Sequence, residues 1–349
     1  VSTVTLHIGA FKTGTTFVQQ VMSNNKSTLA DHGVLWPGKV WREQVRGVKG
    51  ILTGEAEAMA DWQRIVNQID SWEGDRAVVS MESLSLANSA AVERAVKSLH
   101  RHRVRVVLST RDIARVFPAQ WQESVQNKWS WSYQEYIDGV IGEKSRGKRA
   151  RRHFWTKHEW AQILKTWGEQ VPFEDLALVT VPPPGADRGL LWQRMCEALE
   201  LDPGAYDSST RANESLGAAS AEVIRYVTAE LNESKDNVFV GRAVKRALTK
   251  KILVSRKKDE PKLILPEQHH QWARRESDRL VNELGALGVR VIGDLGDLIS
   301  TFDEGKGPVT SDPSALPTDE LLRAAAHGLV GLSARMSKQM DDPEEGTVT

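Results

Sequence analysis

The sequence predicts an α/β protein: a mainly parallel central sheet flanked by helices, with a helical extension at the C-terminus. Three observations carry this. Short, mainly apolar runs end near positions 8, 80, 110 and 181, the pattern of strands buried on both faces. Stretches of helical period separate them, which requires right-handed crossovers between parallel strands. The first run ends in a loop with two glycines, and a helical pattern follows it at once.

That first stretch, Leu6-His7-Ile8-Gly9-Ala10-Phe11-Lys12-Thr13-Gly14-Thr15-Thr16-Phe17, organises the rest. Val4 to Ile8 reads as a strand, and Phe17, Val18, Val21 and Met22 recur at helical spacing. A loop between such elements aims backbone N–H groups at one spot, at the positive end of a helix dipole, where an anion binds. The frame is similar to the P-loop G-x-x-x-x-G-K-[ST], with Gly9, Gly14 and Thr16 in register. The lysine position, however, holds Thr15, and the lysine stands three residues earlier, at Lys12. In a triphosphate site the lysine reaches the β- and γ-phosphates. At the crest of the loop, Lys12 faces instead the bond just beyond a 5′-phosphate.

The remaining elements follow in order. Gly33–Gly38 is a brief strand or turn, and residues 39–60 show no clear period. Trp62, Ile65, Val66, Ile69 and Trp72 mark an amphipathic helix. Asp75–Ser80 is a second strand running into Glu82, 90–102 is helical, and Val104–Thr110 is a third strand followed directly by Arg111. Ligands of open α/β sheets bind off the carboxyl ends of strands. The Gly9–Thr16 loop, Glu82 and Arg111 therefore converge if their strands are neighbours. Val116–Ser124 suggests a helix that Pro118 bends or delays. Phe154–Trp167 reads as one aromatic helix, Leu176–Val181 as a strand, and 190–199, 218–232 and 271–284 as helices. Val289–Gly293 closes the domain, assigned to residues 1–302. A linker at 303–317 follows, then an amphipathic helix at 318–338 and a disordered tail at 339–349.

Composition narrows the function. Lys+Arg and Asp+Glu are equal at 46 each, so no net charge draws the chain to nucleic acid. Basic runs at 144–152 and 242–258 read as a charged rim and a charged helix face. The single cysteine, Cys196, excludes an internal disulfide and a multi-thiolate metal site. No apolar run is long enough to span a membrane and no signal peptide is recognised, so a cytoplasmic location is expected. Oligomeric state leaves no mark in the sequence.

The pattern G-x-x-K-T-G-T-T resembles the 5′-phosphosulfate loop of sulfotransferases that use 3′-phosphoadenosine 5′-phosphosulfate (PAPS). Trp121-Gln122-Glu123, the segment 179–185, Asn213-Glu214-Ser215-Leu216-Gly217 and Ile292-Gly293-Asp294-Leu295 look like a bacterial, particularly actinobacterial, branch. The resemblance covers about residues 3–300. It implies that PAPS is the donor co-substrate, that no metal is needed, and that a small molecule, carbohydrate or lipid is the acceptor. Lys12 matches the lysine at the phosphosulfate bridge. Gly9, Phe11, Thr13, Gly14, Thr15 and Thr16 belong to the 5′-phosphate loop, and Arg111 matches the arginine that grips the 3′-phosphate. Where many members carry a 3′-phosphate serine, this chain has Ala119; Gln120, Gln122, Ser124 or the loop with Arg211, Asn213 and Ser215 would compensate. Glu82 is the first choice for the base, with His153 and His158 behind it. The competing readings are a P-loop kinase, which needs a lysine at position 15, and a non-catalytic nucleotide- or polyanion-binding protein.

Overall fold

A computed structural model of the chain describes residues 2–127, 129–142, 148–187, 189–210, 215–233, 244–302 and 307–341. The chain divides into two compact units. The first comprises residues 1–116, 153–213 and 271–303; the second comprises 117–152, 214–270 and 304–349.

The first unit is built on a six-stranded parallel sheet. Its strands are β1 (Thr3–His7), β2 (Val34–Leu35), β3 (Arg76–Ser80), β4 (Arg103–Thr110), β5 (Leu176–Thr180) and, after a strand of the second unit, β7 (Arg290–Ile292). Their spatial order is β2-β3-β1-β4-β5-β7, and every pairing is parallel. β1 therefore lies between β3 and β4. His7 is level with Ser80 on one side and Val107 on the other. After β1 the chain winds towards β2 and β3; after β4 it winds the other way, to β5 and β7. That reversal opens a crevice at the carboxyl ends of β1 and β4, the usual ligand position in such sheets.

The central strands β1, β3, β4 and β5 are buried almost throughout because helices cover both faces. On one face α1 (Thr15–Asn24) and α10 (Leu190–Leu199) bring Val18, Val21, Met22, Trp192, Met195 and Cys196 against Val78, Val107, Val179 and Ile292. On the other lie α3 (Trp41–Thr53), α4 (Ala56–Asp70), α5 (Ser89–Ser98) and α9 (Trp160–Gly168). Residues 39–60 show no apolar period because α3 meets α4 through glycine. A Cβ on Gly50 would stand 2.3 Å from the Ala58 carbonyl oxygen, and one on Gly47 would stand 3.2 Å from the Trp62 Cα. The buried face of α3, formed by Gln44, Gly47, Val48, Gly50 and Ile51, therefore carries only two large apolar side chains.

Two expected helices differ in the structure. The segment 154–167 is two helices, α8 (Lys148–His158) and α9, broken at Glu159, whose ψ of 70° leaves the helical region. Pro118 neither delays nor starts its helix: α6 runs from Ile113 to Gln126 with the proline inside. Asp112 makes the earlier start possible by accepting the Ala114 N–H at 2.9 Å.

The second unit is mainly helical. It holds α7 (Tyr133–Ile141), α11 (Ala218–Glu233) and α13 (Thr318–Asp341), while α12 (His270–Gly285) belongs almost wholly to the first unit. α7 opens with a capping box between Ser132 and Glu135. The basic stretch expected as one helix is a wide π-turn segment, Val244–Ile252, followed by a tight turn segment to Asp259. Leu248 and Ile252 are buried in it, beneath Gly328 and Gly331 of α13. The stretch expected as a linker contributes β8 (Val309–Thr310), paired with β6 (Lys262–Leu263). No described helix is long and apolar enough to cross a membrane.

Candidate functional site

The carboxyl ends of β3, β1 and β4 are adjacent, and each delivers one part of the expected site. The loop after β1 holds three residues at positive φ: Gly9 (104°), Lys12 (63°) and Gly14 (87°). Gly9 presses against the residue after β3. A Cβ there would lie 3.0 Å from the Glu82 Cα and 3.1 Å from its carbonyl oxygen, so glycine is required on two counts. The same packing brings Glu82 to the base of the loop. Gly14 is the N-cap of α1 and offers no side-chain cap. The Phe17 and Val18 amides bond back to the Gly14 carbonyl. The amides of Thr15 and Thr16 come before them and have no acceptor in the helix.

The loop is fastened to the end of β4. Ala10 N–H donates to the Ser109 carbonyl at 2.8 Å, and Ser109 N–H returns to the Gly9 carbonyl at 2.5 Å. The Thr13 hydroxyl is turned inward: it donates to the Ala10 carbonyl at 2.7 Å and lies 2.7 Å from the Ser109 Oγ. Beneath the loop, His7 places Nδ1 2.8 Å from the Ser80 Oγ and Nε2 3.3 Å from the Ser109 Oγ. His7 is fully buried, and burial lowers its pKa to about 4, so the ring is neutral.

Arg111 leaves β4 and turns to the same loop, where its Nη1 donates to the Lys12 carbonyl at 3.2 Å. The Arg111 Nε is enclosed and has no hydrogen-bond partner among the described residues. Burial, and then the positive charge of Arg115, lower the Arg111 pKa to about 9 against the opposing pull of Asp112. Asp112 is itself committed to Ser300 and to the α6 cap, and its own pKa is raised by burial. A guanidinium enclosed in this way, with a free N–H and no bonded carboxylate among the described residues, suits an incoming anion.

Glu82 opens a short 3₁₀ turn after β3 and keeps part of its surface exposed. Buried Gln19 of α1 holds it, with Nε2 donating to Glu82 Oε2 at 3.2 Å and to the Ser80 carbonyl at 3.1 Å. The carboxylate is thus oriented by the helix that the loop starts.

A further cation, absent from the sequence expectations, joins the loop. Lys157 is buried, with its Nζ 4.7 Å from the centre of the Phe11 ring and 3.3 Å from the His153 Nε2. His158 is buried in the same group, and its pKa is driven well down by burial, then by Lys157, His153 and Lys12. Lys157 falls in the segment read as an aromatic helix, where a single lysine carries no signal of its own.

The other expected residues fall elsewhere. Ala119 is half-buried within α6, and Ser215 is exposed; both belong to the second unit. Arg211 and Asn213 lie outside the described residues. Of the residues expected to replace the missing serine, Gln122 donates to the Leu216 carbonyl at 2.8 Å and the Ser124 hydroxyl donates to the Gln120 carbonyl at 2.7 Å. Among the described residues, no group of three or more His, Cys, Asp or Glu is arranged to hold a metal ion.

No family model matches the chain, and no curated protein matches it. Among solved structures it is similar to a sulfotransferase from Alicyclobacillus acidocaldarius. That likeness has 12% identity and a TM-score of 0.41, and it covers 68% of this chain and 98% of the other. At that level it carries no argument about activity, which rests on the site.

Proposed function

We propose that the protein is a sulfotransferase that moves a sulfuryl group from PAPS to a hydroxyl or amine of a small molecule, carbohydrate or lipid. One observation carries the reading. The loop's lysine stands at its crest rather than at the start of α1, and beside it an enclosed arginine has an N–H to give. A nucleotide with a 5′-phosphate for the loop and a second phosphate for Arg111 would use both.

The residues divide the work as follows. Gly9, Phe11, Thr13 and Gly14 shape the loop, and the backbone amides at Thr15 and Thr16, with the Thr16 hydroxyl, receive the 5′-phosphate. Arg111 takes the 3′-phosphate. In the transfer, the acceptor oxygen forms a bond to sulfur as the bond from sulfur to the bridging phosphate oxygen breaks. The electron pair stays on that oxygen, where Lys12 neutralises it. The acceptor proton passes to Glu82. Nothing is oxidised or reduced, and no metal takes part. Glu82 is preferred over His158 because it reaches the base of the loop with an exposed edge, whereas His158 is fully buried.

The test is calorimetric titration with adenosine 3′,5′-bisphosphate and with ATP, each with magnesium and with a chelator. The expected result is tight, magnesium-independent binding of the bisphosphate and weak binding of ATP. Magnesium-dependent ATP binding would replace this reading with a kinase.

A further inference from the structure

Four side chains and a carbonyl lie in one buried chain beneath the loop: Ser80, His7, Ser109, Thr13 and the Ala10 oxygen. Their spacings are 2.8, 3.3, 2.7 and 2.7 Å. The residues come from β3, β1, β4 and the loop itself, and all four side chains are at most 1% exposed. Neither the proposed transfer step nor the sequence reading gives His7 or Ser109 a role.

Counting protons fixes the direction of the chain. The Ala10 carbonyl can only accept, so it takes the Thr13 proton. The Ser109 hydroxyl donates its proton to the Gly9 carbonyl at 2.8 Å, which accepts it on its second lone pair beside the Ser109 amide. Ser109 has a single proton and has now given it, so the His7 Nε2 must be the donor. The neutral ring then accepts at Nδ1 from the Ser80 hydroxyl. The opposite tautomer would present an unprotonated Nε2 to a hydroxyl whose proton is already committed, leaving one buried contact without hydrogen.

We infer that His7, as the Nε2–H tautomer, is a positioning residue that sets the anion loop through a one-way hydrogen-bond relay, Ser80 to His7 to Ser109 to the Gly9 carbonyl. The relay draws the Gly9 carbonyl inward, as Thr13 draws the Ala10 carbonyl, against the repulsion both would meet from an anion held by the loop amides. Thr13 thus has a task inside the loop rather than on the ligand. The depressed basicity of the ring keeps the relay in one protonation state across the neutral range.

The first test needs no variant. Nitrogen-15 NMR of the whole protein, with the His7 resonances assigned by their loss in His7→Gln, should show a neutral ring protonated at Nε2 near neutral pH. A ring protonated at Nδ1, or charged, would overturn the relay. The second test rests on the proposed donor site and reads adenosine 3′,5′-bisphosphate affinity in a double-mutant cycle. His7→Leu and Ser109→Ala should each weaken binding by about 10-fold, and the double variant by little more than either alone, because both break one chain. His7→Gln, whose amide can still donate to Ser109, should recover most of the loss. Multiplicative losses of about 100-fold, or recovery by leucine as good as by glutamine, would show that the ring only fills space. Failure of the wild-type protein to bind the bisphosphate would instead remove the donor reading, and the tautomer would still decide the relay.

Discussion

Replacing Arg111 by glutamine should make the free protein more stable while removing its ligand. The Arg111 guanidinium is enclosed, its Nε has no partner among the described residues, and its pKa falls from the ordinary arginine range to about 9 through burial and the nearby Arg115. Fully expressed, that fall corresponds to ~5 kcal/mol held against the folded state. Part of the side chain remains open to water, so an effective cost of ~2 kcal/mol is a fairer figure. The one hydrogen bond lost with the arginine, to the Lys12 carbonyl, is long at 3.2 Å and returns only ~0.5 kcal/mol. The remainder, ~1.5 kcal/mol, should raise the melting temperature of a unit of this size by about 3–6 °C.

The sign can be checked by pH. Below pH 9 both folded and unfolded states carry the charge, and the cost is present in full. Above about pH 9 the folded state loses its proton first, and the cost fades as the pH climbs toward the ordinary arginine range. The gain from Arg111→Gln is therefore complete at pH 7 and shrinks in alkaline solution. Scanning calorimetry of both proteins, with and without adenosine 3′,5′-bisphosphate, reads all of this. The ligand should raise the wild-type midpoint strongly and the variant's hardly at all, since losing a charge-assisted contact costs about 2–3 kcal/mol. An Arg111→Gln protein that melts below the wild type without ligand would refute the reasoning and make Arg111 a structural clamp on the loop.

Three other outcomes follow from the same geometry. Glu82→Gln should lower kcat by roughly 10²–10⁴-fold with bisphosphate affinity nearly unchanged; a variant with near wild-type turnover would remove Glu82 as the base. Gly9→Ala forces a side chain into φ 104° and to 3.0 Å from the Glu82 Cα, so titration should find bisphosphate binding weakened at least about 10-fold; unchanged affinity would show that the loop tolerates a shift there. Cys196 is buried and its thiol is pushed up to about 12 by burial, so maleimide should label it at pH 8 only after denaturant unfolds the chain; rapid labelling of the native protein would contradict the packing around α10.

The strands of the sheet were legible because their signal is strong and local. Val4–Ile8, 75–80, 104–110 and 176–181 are mainly apolar, as strands of a doubly covered parallel sheet are. Helices were legible where packing uses large side chains, as in α4 with Trp62, Ile65 and Ile69. They were hidden where it does not. α3 joins its neighbour through Gly47 and Gly50, and α7 begins with a capping box in a stretch for which composition suggested nothing. The break at Glu159 escaped for another reason. No proline or glycine marks it, and Glu159 is engaged by Arg279 of α12 at 3.0 Å, more than a hundred residues away in sequence.

The site divides along the same line. Gly9, Lys12, Gly14, Glu82 and Arg111 were legible because each sits at or beside a strand end, and strand ends are what sequence locates best. That these ends meet required only that β3, β1 and β4 be neighbours, which the sheet order satisfies. What holds them was not legible. Gln19 fastening Glu82, and Ser109 and His7 beneath the loop, look in sequence like ordinary helix and strand residues. His7 in particular lies in an apolar run, where a lone histidine reads as core. It is core, and its importance comes from its register: level with Ser80 and one strand away from Ser109, it is the only ring in that layer of the described sheet that can bridge both hydroxyls. Register is a property of pairs of strands, so it becomes visible only when the strands are placed side by side. A loop that must present its amides to several negative charges needs its carbonyls held back, and the means of holding them lie in neighbours that the chain reaches 70 and 100 residues later.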